Sequence, residues 1–248
     1  MQKDPHTKSN HQLVRTKHLE LFLEADFKHH ILFGKAIHHL KNITGAEHFI
    51  LDTENLEIQK VTLGQEEKSA QYRLCGKGKD QSLSIDIKNS SGPVHIYYRT
   101  TVDSQAIQWL GPHQATSGKP FMFTQSQAIL ARSWVPCQDT PSVRFTYEAT
   151  IEVQEKDLLP LMSARNPHGT NNSGIYHFSM PEPVPTYLLA LAIGKLEFKP
   201  ISKRAGVYAE PEMIDKAARE FSGLENMIAE AEKLYDWLSA DKHRVGLL

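Results

Sequence analysis

The segment RFTYEATIEV, residues 144–153, alternates apolar and polar side chains without a break. Successive side chains of a β-strand point to opposite faces, so this pattern predicts a strand with one face in a core and the other in water. Such a strand needs partner strands for its backbone groups, and this requirement constrains the fold class more than any other feature of the chain. The predicted buried positions are Phe145, Tyr147, Ala149, Ile151 and Val153.

Similar alternation begins near residue 18 and recurs toward residue 208. A second half-buried strand is predicted from Leu19 to Phe27, and residues 31–40 follow closely enough to form a hairpin with it, with a bulge at Gly34. Short turns separate the remaining candidates, as in an antiparallel sandwich or open barrel. Those candidates are residues 48–53, 58–63, 71–75, 82–88 and 93–101.

The hydrophobic period changes near the end of the chain. Tyr187–Ile193 is an apolar run too short to span a membrane, and it predicts a strand buried on both faces. After Pro211, apolar residues recur at three- and four-residue steps to Tyr235, which predicts an amphipathic helix interrupted at Gly223. A long helix with an apolar face, placed after many strands, indicates the start of a further unit.

We therefore predict a mainly β protein with an antiparallel, β-sandwich-like domain over residues 18–208. Residues 1–17 are polar and are expected to form a flexible tail. Residues 209–248 are expected to contain the helix, followed by a divergent tail.

Charge and composition exclude several classes of partner. The chain has 28 Lys and Arg against 29 Asp and Glu, so no global basic field favours nucleic acid or an anionic membrane. Its N-terminus is charged and polar, and no run of about 18 apolar residues occurs. We expect a cytoplasmic protein without a membrane or nucleic-acid partner. Cys75 and Cys137 are too far apart in sequence to indicate a disulfide framework or a cysteine-based zinc site.

Two pairs of histidines raise the question of a metal site. They are His29 with His30 and His38 with His39. Adjacent residues on a strand point to opposite faces, so each pair offers at most one ligand to a given face. A metal site is therefore not expected there.

The stretch TQSQAILARSWVPCQDTP, residues 124–141, fits neither a plain helix nor a plain strand. Taken alone, Gln125 and Gln127 are typical of a surface connector. The CQDTP portion is typical of a turn in which Asp139 or Thr140 binds nearby backbone. No neighbouring sequence supplies a base for a nucleophilic Cys137.

Three stretches together resemble the N-terminal region of zinc aminopeptidases of the aminopeptidase N type, and within that family the leukotriene hydrolase and aminopeptidase B branch. The resemblance extends over residues 18–235. It implies a saddle-shaped, mostly antiparallel β domain that packs over a thermolysin-like catalytic domain, whose first element is the helix after Pro211. The stretches are QSQAILARSWVPCQDTPSVRFTYEATIEV from residue 125, MPEPVPTYLLALAIGKLEF from 180 and EMIDKAAREFSGLENMIAEAEKLY from 212.

The resemblance also implies roles for the opening of this stretch. Gln127 matches the position that contacts the free α-amine of a peptide substrate, which is Glu in many relatives and Gln in the leukotriene hydrolase branch. Gln125 is expected to contact the substrate backbone or first side chain, and the backbone at Ala128 to line the same cleft. The implied substrates are peptide N-termini, and epoxide hydrolysis by the intact enzyme is left open.

The zinc motif of the family, H-E-x-x-H, and its G-x-M-E-N loop do not occur in the 248 residues. Zinc is thus expected in the intact family enzyme and not in this chain, which is expected to be inactive without a catalytic domain. After Tyr235 the sequence departs from the family, as in a truncated or frame-disrupted product or a fragment. The alternative is a stand-alone β-sandwich that binds or scaffolds without peptidase activity.

Overall fold

The computed structural model describes residues 4–88, 92–167, 169–235 and 245–247. Its strands are, in chain order, β1 Val14–Asp26, β2 Ile31–Asn42, β3 His48–Asp52, β4 Glu57–Leu63, β5 Lys68–Ser69, β6 Tyr72–Cys75, β7 Ser82–Asp86, β8 Val94–Arg99, β9 Ile107–Leu110, β10 Phe121–Thr124, β11 Phe145–Val153, β12 Leu159–Met162, β13 Ile175–Val184, β14 Leu191–Gly194, β15 Glu197–Pro200, β16 Ala205–Ala209 and β17 Val245–Leu247. The helices are α1 Ile214–Glu220 and α2 Leu224–Leu234, with 3₁₀ turns at Gly78–Asp80, Pro112–Gln114, Ala131–Ser133 and Thr186–Leu188.

The strands form four sheets, and the mainly β prediction is confirmed. The largest sheet has seven strands in the order β13-β11-β1-β2-β8-β4-β5, and a four-stranded sheet has the order β12-β14-β10-β9. The two smaller sheets are β15-β16-β17 and β3-β7-β6. Pairing is mostly antiparallel, but β1 pairs with β11 and β16 with β17 in parallel.

The alternating segments face the core as predicted. Leu19 and Leu21 on β1 are fully buried, and so are Tyr147 and Ile151 on β11. In the parallel register Leu19 lies beside Tyr147 and Leu23 beside Ile151, so the two apolar faces join in one core. The hairpin of β1 and β2 is also confirmed.

The predicted bulge at Gly34 is wrong. Gly34 pairs in register with Leu23, and the irregularity of this hairpin lies between Thr16 and His18 instead. Glycine is needed at position 34 for space, because a Cβ there would lie 2.5 Å from the Tyr98 ring.

The segment before β1 packs against the domain. Thr7 and Ser9 are buried, and Thr7 Oγ1 donates a hydrogen bond to Asp52 Oδ2 at 2.5 Å. The flexible tail predicted for residues 1–17 is therefore wrong over residues 4–17. The buried Asp52 carboxylate satisfies Thr7, whose hydroxyl in turn binds Ser9, and nothing in the local sequence indicates that carboxylate as a partner.

The apolar run before residue 194 is not one strand. Thr186–Leu188 forms a 3₁₀ turn, Leu188 is exposed, and the buried strand begins only at Leu191. The predicted helix is present as α1 and α2, and its interruption falls at Phe221–Gly223, where a turn joins them. No described helix combines the length and apolar character that crossing a membrane requires. The domain boundary placed at residue 208 stays a prediction, and most of the expected divergent tail lies outside the described residues.

Candidate functional site

The stretch from Gln125 to Thr140 connects β10 of the four-stranded sheet to β11 of the seven-stranded sheet. Its two halves differ in burial: Gln125, Gln127 and Ala128 are exposed, whereas every residue from Ala131 to Thr140 is buried. The exposed half can therefore contact a ligand, and the buried half can hold the exposed half in place.

The two glutamines are held close together. The backbone N–H of Gln127 donates to Gln125 Oε1 at 2.9 Å, and the N–H of Gln125 donates to the carbonyl of Ala106 at 2.8 Å. The peptide bond between Gln127 and Ala128 is cis. Because the Gln125 carbonyl oxygen accepts this local bond, its amide NH₂ remains to donate outward, while the Gln127 amide can both donate and accept.

Thr124 and Ser126, the residues that precede each glutamine, point inward. The Ser126 hydroxyl donates to the carbonyl of Leu189 at 2.6 Å and accepts a hydrogen bond from Trp134 Nε1 at 3.1 Å. Thr124 Oγ1 accepts from the N–H of Leu191 at 2.9 Å. Trp134 is completely buried.

The buried half contains an ionic cluster centred on Arg132, which is 1% exposed. Arg132 Nε lies 3.1 Å from Asp139 Oδ2, and Nη1 lies 3.9 Å from Asp52 Oδ1. The guanidinium also donates to the carbonyls of Lys79 and His6, both at 2.9 Å. Its hydrogen bonds and ion pairs together therefore reach four segments of the chain, including the N-terminal segment.

The charges of this cluster compensate one another. Burial alone lowers the pKa of Arg132, but the negative charges of Asp52 and Asp139 outweigh this effect and raise it. Burial raises the pKa of Asp52, and this shift is opposed by Arg132 and by hydrogen bonds from Thr7, Lys8 and Asp139. The cluster is thus a structural crosslink, and its charged groups are not available to a ligand.

Cys137 lies inside the same buried half. Its backbone forms a bridge with Asp52, and burial is the main cause that raises the pKa of its thiol well above the usual value. A buried thiol of raised pKa is a poor nucleophile, as the sequence indicated. Both cysteines are free. As predicted for the CQDTP turn, Asp139 Oδ2 accepts a hydrogen bond from the backbone N–H of Arg132.

Within the described part of the chain, no group of three or more His, Cys, Asp or Glu side chains is placed to hold a metal ion. An apolar pocket of about 260 Å³ is lined by Leu110, Phe121, Tyr208 and Glu210, among others. Neither Gln125 nor Gln127 lines it. The Glu210 carboxylate accepts hydrogen bonds from Thr116 and its neighbour Ser117.

His38 is buried on β2 and contacts the connector through a hydrogen bond to its backbone. Because a carbonyl can only accept, His38 Nε2 donates to the carbonyl of Pro136 at 3.1 Å, which leaves Nδ1 to accept from Thr16 Oγ1 at 3.0 Å. Burial lowers the pKa of His38 from 6.5 to about 3. The imidazole is therefore neutral in the folded protein.

This shift predicts acid sensitivity. The folded pKa lies below the unfolded one, so the stabilisation by His38 is complete above pH 6.5 and is lost as pH falls toward 3. At pH 5 the loss should be about 2 kcal/mol relative to pH 7. Urea unfolding at both values should show a smaller pH dependence for His38→Gln than for the parent chain. The exposed His177→Gln serves as the control, and equal pH dependence in all three proteins would contradict the assignment.

Reasoning from the sequence missed the ionic cluster and the anchoring hydroxyls. An arginine and an aspartate seven residues apart, on either side of the apolar pair Trp134 and Val135, are the local signal for the first part of the cluster. The second carboxylate comes from β3 and has no such signal.

Comparison of the chain with known proteins identifies its family. The family model described as Peptidase M1 N-terminal domain matches residues 15–188. Leucine aminopeptidase 2-2 of Scheffersomyces stipitis is 36% identical, over 96% of this chain and 38% of that protein. Leukotriene A-4 hydrolase of Xenopus laevis is 33% identical, over 94% of this chain and 41% of that protein.

Solved structures agree with these relatives. The structure of native yeast LTA4 hydrolase superposes with a TM-score of 0.86 at 32% identity, covering 94% of this chain and 37% of the other. A complex of yeast LTA4 hydrolase with bestatin gives the same values. The chain therefore spans about two fifths of the length of the relatives it matches.

Proposed function

We propose, because this chain belongs to the peptidase M1 N-terminal domain family, that residues 125–128 form one edge of the substrate cleft of a zinc aminopeptidase. The substrates would be peptides with a free N-terminus. Catalysis would require the part of the enzyme that the relatives have beyond the region matched by this chain.

One observation carries the proposal: Gln125 and Gln127 are exposed at the start of a connector whose second half, Ala131 to Thr140, is entirely buried, and Ser126 between them is buried as well. Surface glutamines in an ordinary connector have no need of such support. Functional side chains do need it, because a binding group acts well only when its position is fixed in advance.

The amide chemistry fits a peptide N-terminus. The Gln127 carbonyl oxygen can accept a hydrogen bond from an α-ammonium, and the free NH₂ of Gln125 can donate to a substrate carbonyl. A neutral amide gives a weaker contact to an ammonium than a carboxylate does. Additional negative charge would therefore come from the catalytic part of the enzyme.

The zinc would also be bound outside this chain. No described cluster of side chains fits a metal ion, and the sequence contains no H-E-x-x-H. In the intact enzyme a bound zinc would lower the pKa of the hydrolytic water. Without that metal the chain is expected not to cleave peptides. A cytoplasmic location belongs to the same proposal and is supported by the two free cysteines.

Changing Gln127 tests the contact with the α-amine. The chain would be joined to the portion of the Scheffersomyces stipitis relative that follows the matched region, and kcat/KM measured for a free-amine substrate and its N-acetylated counterpart. Gln127→Ala should lower kcat/KM for the free amine roughly 10- to 150-fold, because it removes a hydrogen bond to a charged group. Gln127→Glu should raise it by adding a charge opposite the ammonium.

The control is Gln59→Ala, an exposed glutamine on β4 of the seven-stranded sheet. Gln125→Ala should impair both substrates, since its donor would contact the peptide backbone. If neither Gln127 variant changes the ratio between the two substrates, the segment is only a connector. The reading of the chain as a binding or scaffolding module would then be favoured.

A further inference from the structure

We infer that Thr124 and Ser126 are positioning residues that fix the direction in which Gln125 and Gln127 point. The inference rests on the proposed function for its catalytic consequence, but its structural basis is independent of that function. Residues 125–127 lie outside regular secondary structure, yet their side chains alternate between exposed and buried as in a strand.

The alternation of β10 continues beyond its last residue. Phe123, Gln125 and Gln127 are exposed, whereas Thr124 and Ser126 between them are buried. Strand β10 ends at Thr124, and its pairing with β14 includes only Met122 with Ile193 and Phe123 with Ala192. Backbone pairing with β14 therefore stops at Phe123, and on the β9 side only the Gln125 N–H continues the ladder, to the carbonyl of Ala106.

The two buried hydroxyls take over where the backbone ladder stops. Extending the register of β10 and β14 places Thr124 opposite Leu191 and Ser126 opposite Leu189. These are the residues that the hydroxyls bind: the Leu191 N–H donates to Thr124 Oγ1, and Ser126 Oγ donates to the Leu189 carbonyl. Side-chain hydrogen bonds thus continue the antiparallel pairing for two further positions.

Trp134 fixes the orientation of the Ser126 hydroxyl. An indole N–H is only a donor and a carbonyl is only an acceptor, so the Ser126 oxygen must accept from Trp134 and its proton must point to Leu189. Alternative rotamers of this hydroxyl would leave a buried partner unsatisfied. The Ser126 side chain is therefore fixed between two rigid partners.

This arrangement determines the outward direction of the glutamines. A slip of one residue along a pleated segment moves every side chain to the other face, which would bury both glutamines and expose both hydroxyls. The hydroxyls oppose that slip because each one has a single matching partner on residues 189–191. Removing a hydroxyl should therefore weaken the glutamine contacts without altering the glutamines themselves.

Amide hydrogen exchange on the whole chain tests the structural part. Thr124→Val and Ser126→Ala should each speed exchange at the amides of Gln125 and Gln127 about tenfold or more, the factor expected when a buried hydrogen bond is lost. The matched control is Thr100→Val, because Thr100 Oγ1 accepts from the Leu32 N–H at the same 2.9 Å distance but on the seven-stranded sheet. The control should leave the exchange rates of the Gln125 and Gln127 amides unchanged.

Activity of the chimaeric enzyme tests the catalytic consequence. Thr124→Val and Ser126→Ala should reduce the preference for the free-amine substrate over its acetylated counterpart, as Gln127→Ala does, and Thr124→Ser should restore it because it keeps the hydroxyl. The control Thr100→Val should change stability but not this preference.

The outcomes separate the two proposals. If Gln127→Ala changes the substrate preference and neither hydroxyl variant does, the positioning role is wrong and the proposed function stands. If Gln127→Ala has no effect, the proposed function fails and the exchange data alone decide the positioning role. Faster exchange confined to Leu191, without any change at Gln125 and Gln127, would overturn it in either case.

Discussion

Replacing Arg132 by methionine should lower the free energy of unfolding by about 3–5 kcal/mol, the cost of removing one partner from a buried ion pair. Arg132 is 1% exposed and supplies the positive charge beside Asp52 and Asp139. Methionine keeps much of the side-chain length, so the loss comes mainly from two buried carboxylates left without a counter-charge and from carbonyls left without donors. Urea unfolding at pH 7 measures the change.

The dependence of this loss on pH identifies its cause. Burial already raises the pKa of Asp52 against the opposing effect of Arg132, so removing the arginine should raise it further. A carboxyl whose folded pKa exceeds its unfolded pKa stabilises the fold only at low pH, and that contribution is lost as pH rises through the folded pKa. The difference between variant and parent should therefore be smaller at pH 5 than at pH 7. A pH-independent loss would indicate altered packing instead.

Two further variants complete this test. Arg144→Met changes an exposed arginine just before β11 and should lower the free energy of unfolding only slightly. Arg132→Lys keeps the charge but not the planar set of donors that reaches the carbonyls of His6 and Lys79, so it should be intermediate. If Arg132→Met and Arg144→Met cost the same, the buried cluster does not stabilise the fold.

The features that could be predicted from the sequence are those that depend on the pattern of neighbouring residues. The buried face of β11 could be identified because Phe145 to Val153 alternate at the strand period, and the interrupted helix because its period changes after Pro211 and glycine stands at position 223. The hairpin of β1 and β2 followed from a short connection. Each of these predictions needed only neighbouring residues.

The features that could not be predicted depend on distant partners. The parallel pairing of β1 with β11 joins segments more than a hundred residues apart, for example His18 with Thr146. Asp52 and Asp139 are separated by 87 positions, and each has an unremarkable local sequence. The same holds for Thr7, which looked solvated because the carboxylate that satisfies it lies on β3.

The candidate site was predictable in one respect only. Resemblance to a family indicated Gln125, Gln127 and Ala128, and the structure places all three on the surface, but their contact with a substrate stays a prediction. Their support could not be foreseen, because serine and threonine in a polar stretch are typical of a loop. Only the three-dimensional register with β14 shows that these hydroxyls act as a continuation of the sheet.

Replacing Trp134 by alanine should lower the free energy of unfolding by about 3–5 kcal/mol, as expected for truncating a large core side chain. Trp134 is the largest fully buried side chain among the described residues, and its indole N–H binds Ser126. The substitution would leave a cavity beneath the connector and remove the donor that orients the Ser126 hydroxyl. Unfolding should be followed by circular dichroism, because the variant also loses a fluorophore.

Trp134→Phe separates the two contributions. It retains most of the apolar volume but not the N–H, so it should recover most of the stability while exchange at the Gln127 amide remains fast. Trp109→Ala is the control, since Trp109 is only half-buried on β9, stacked on His30, and should cost less. If Trp134→Phe matches the parent chain in both stability and exchange, the indole serves packing alone. The glutamine segment would then depend for its direction on the two hydroxyls and not on the tryptophan beneath them.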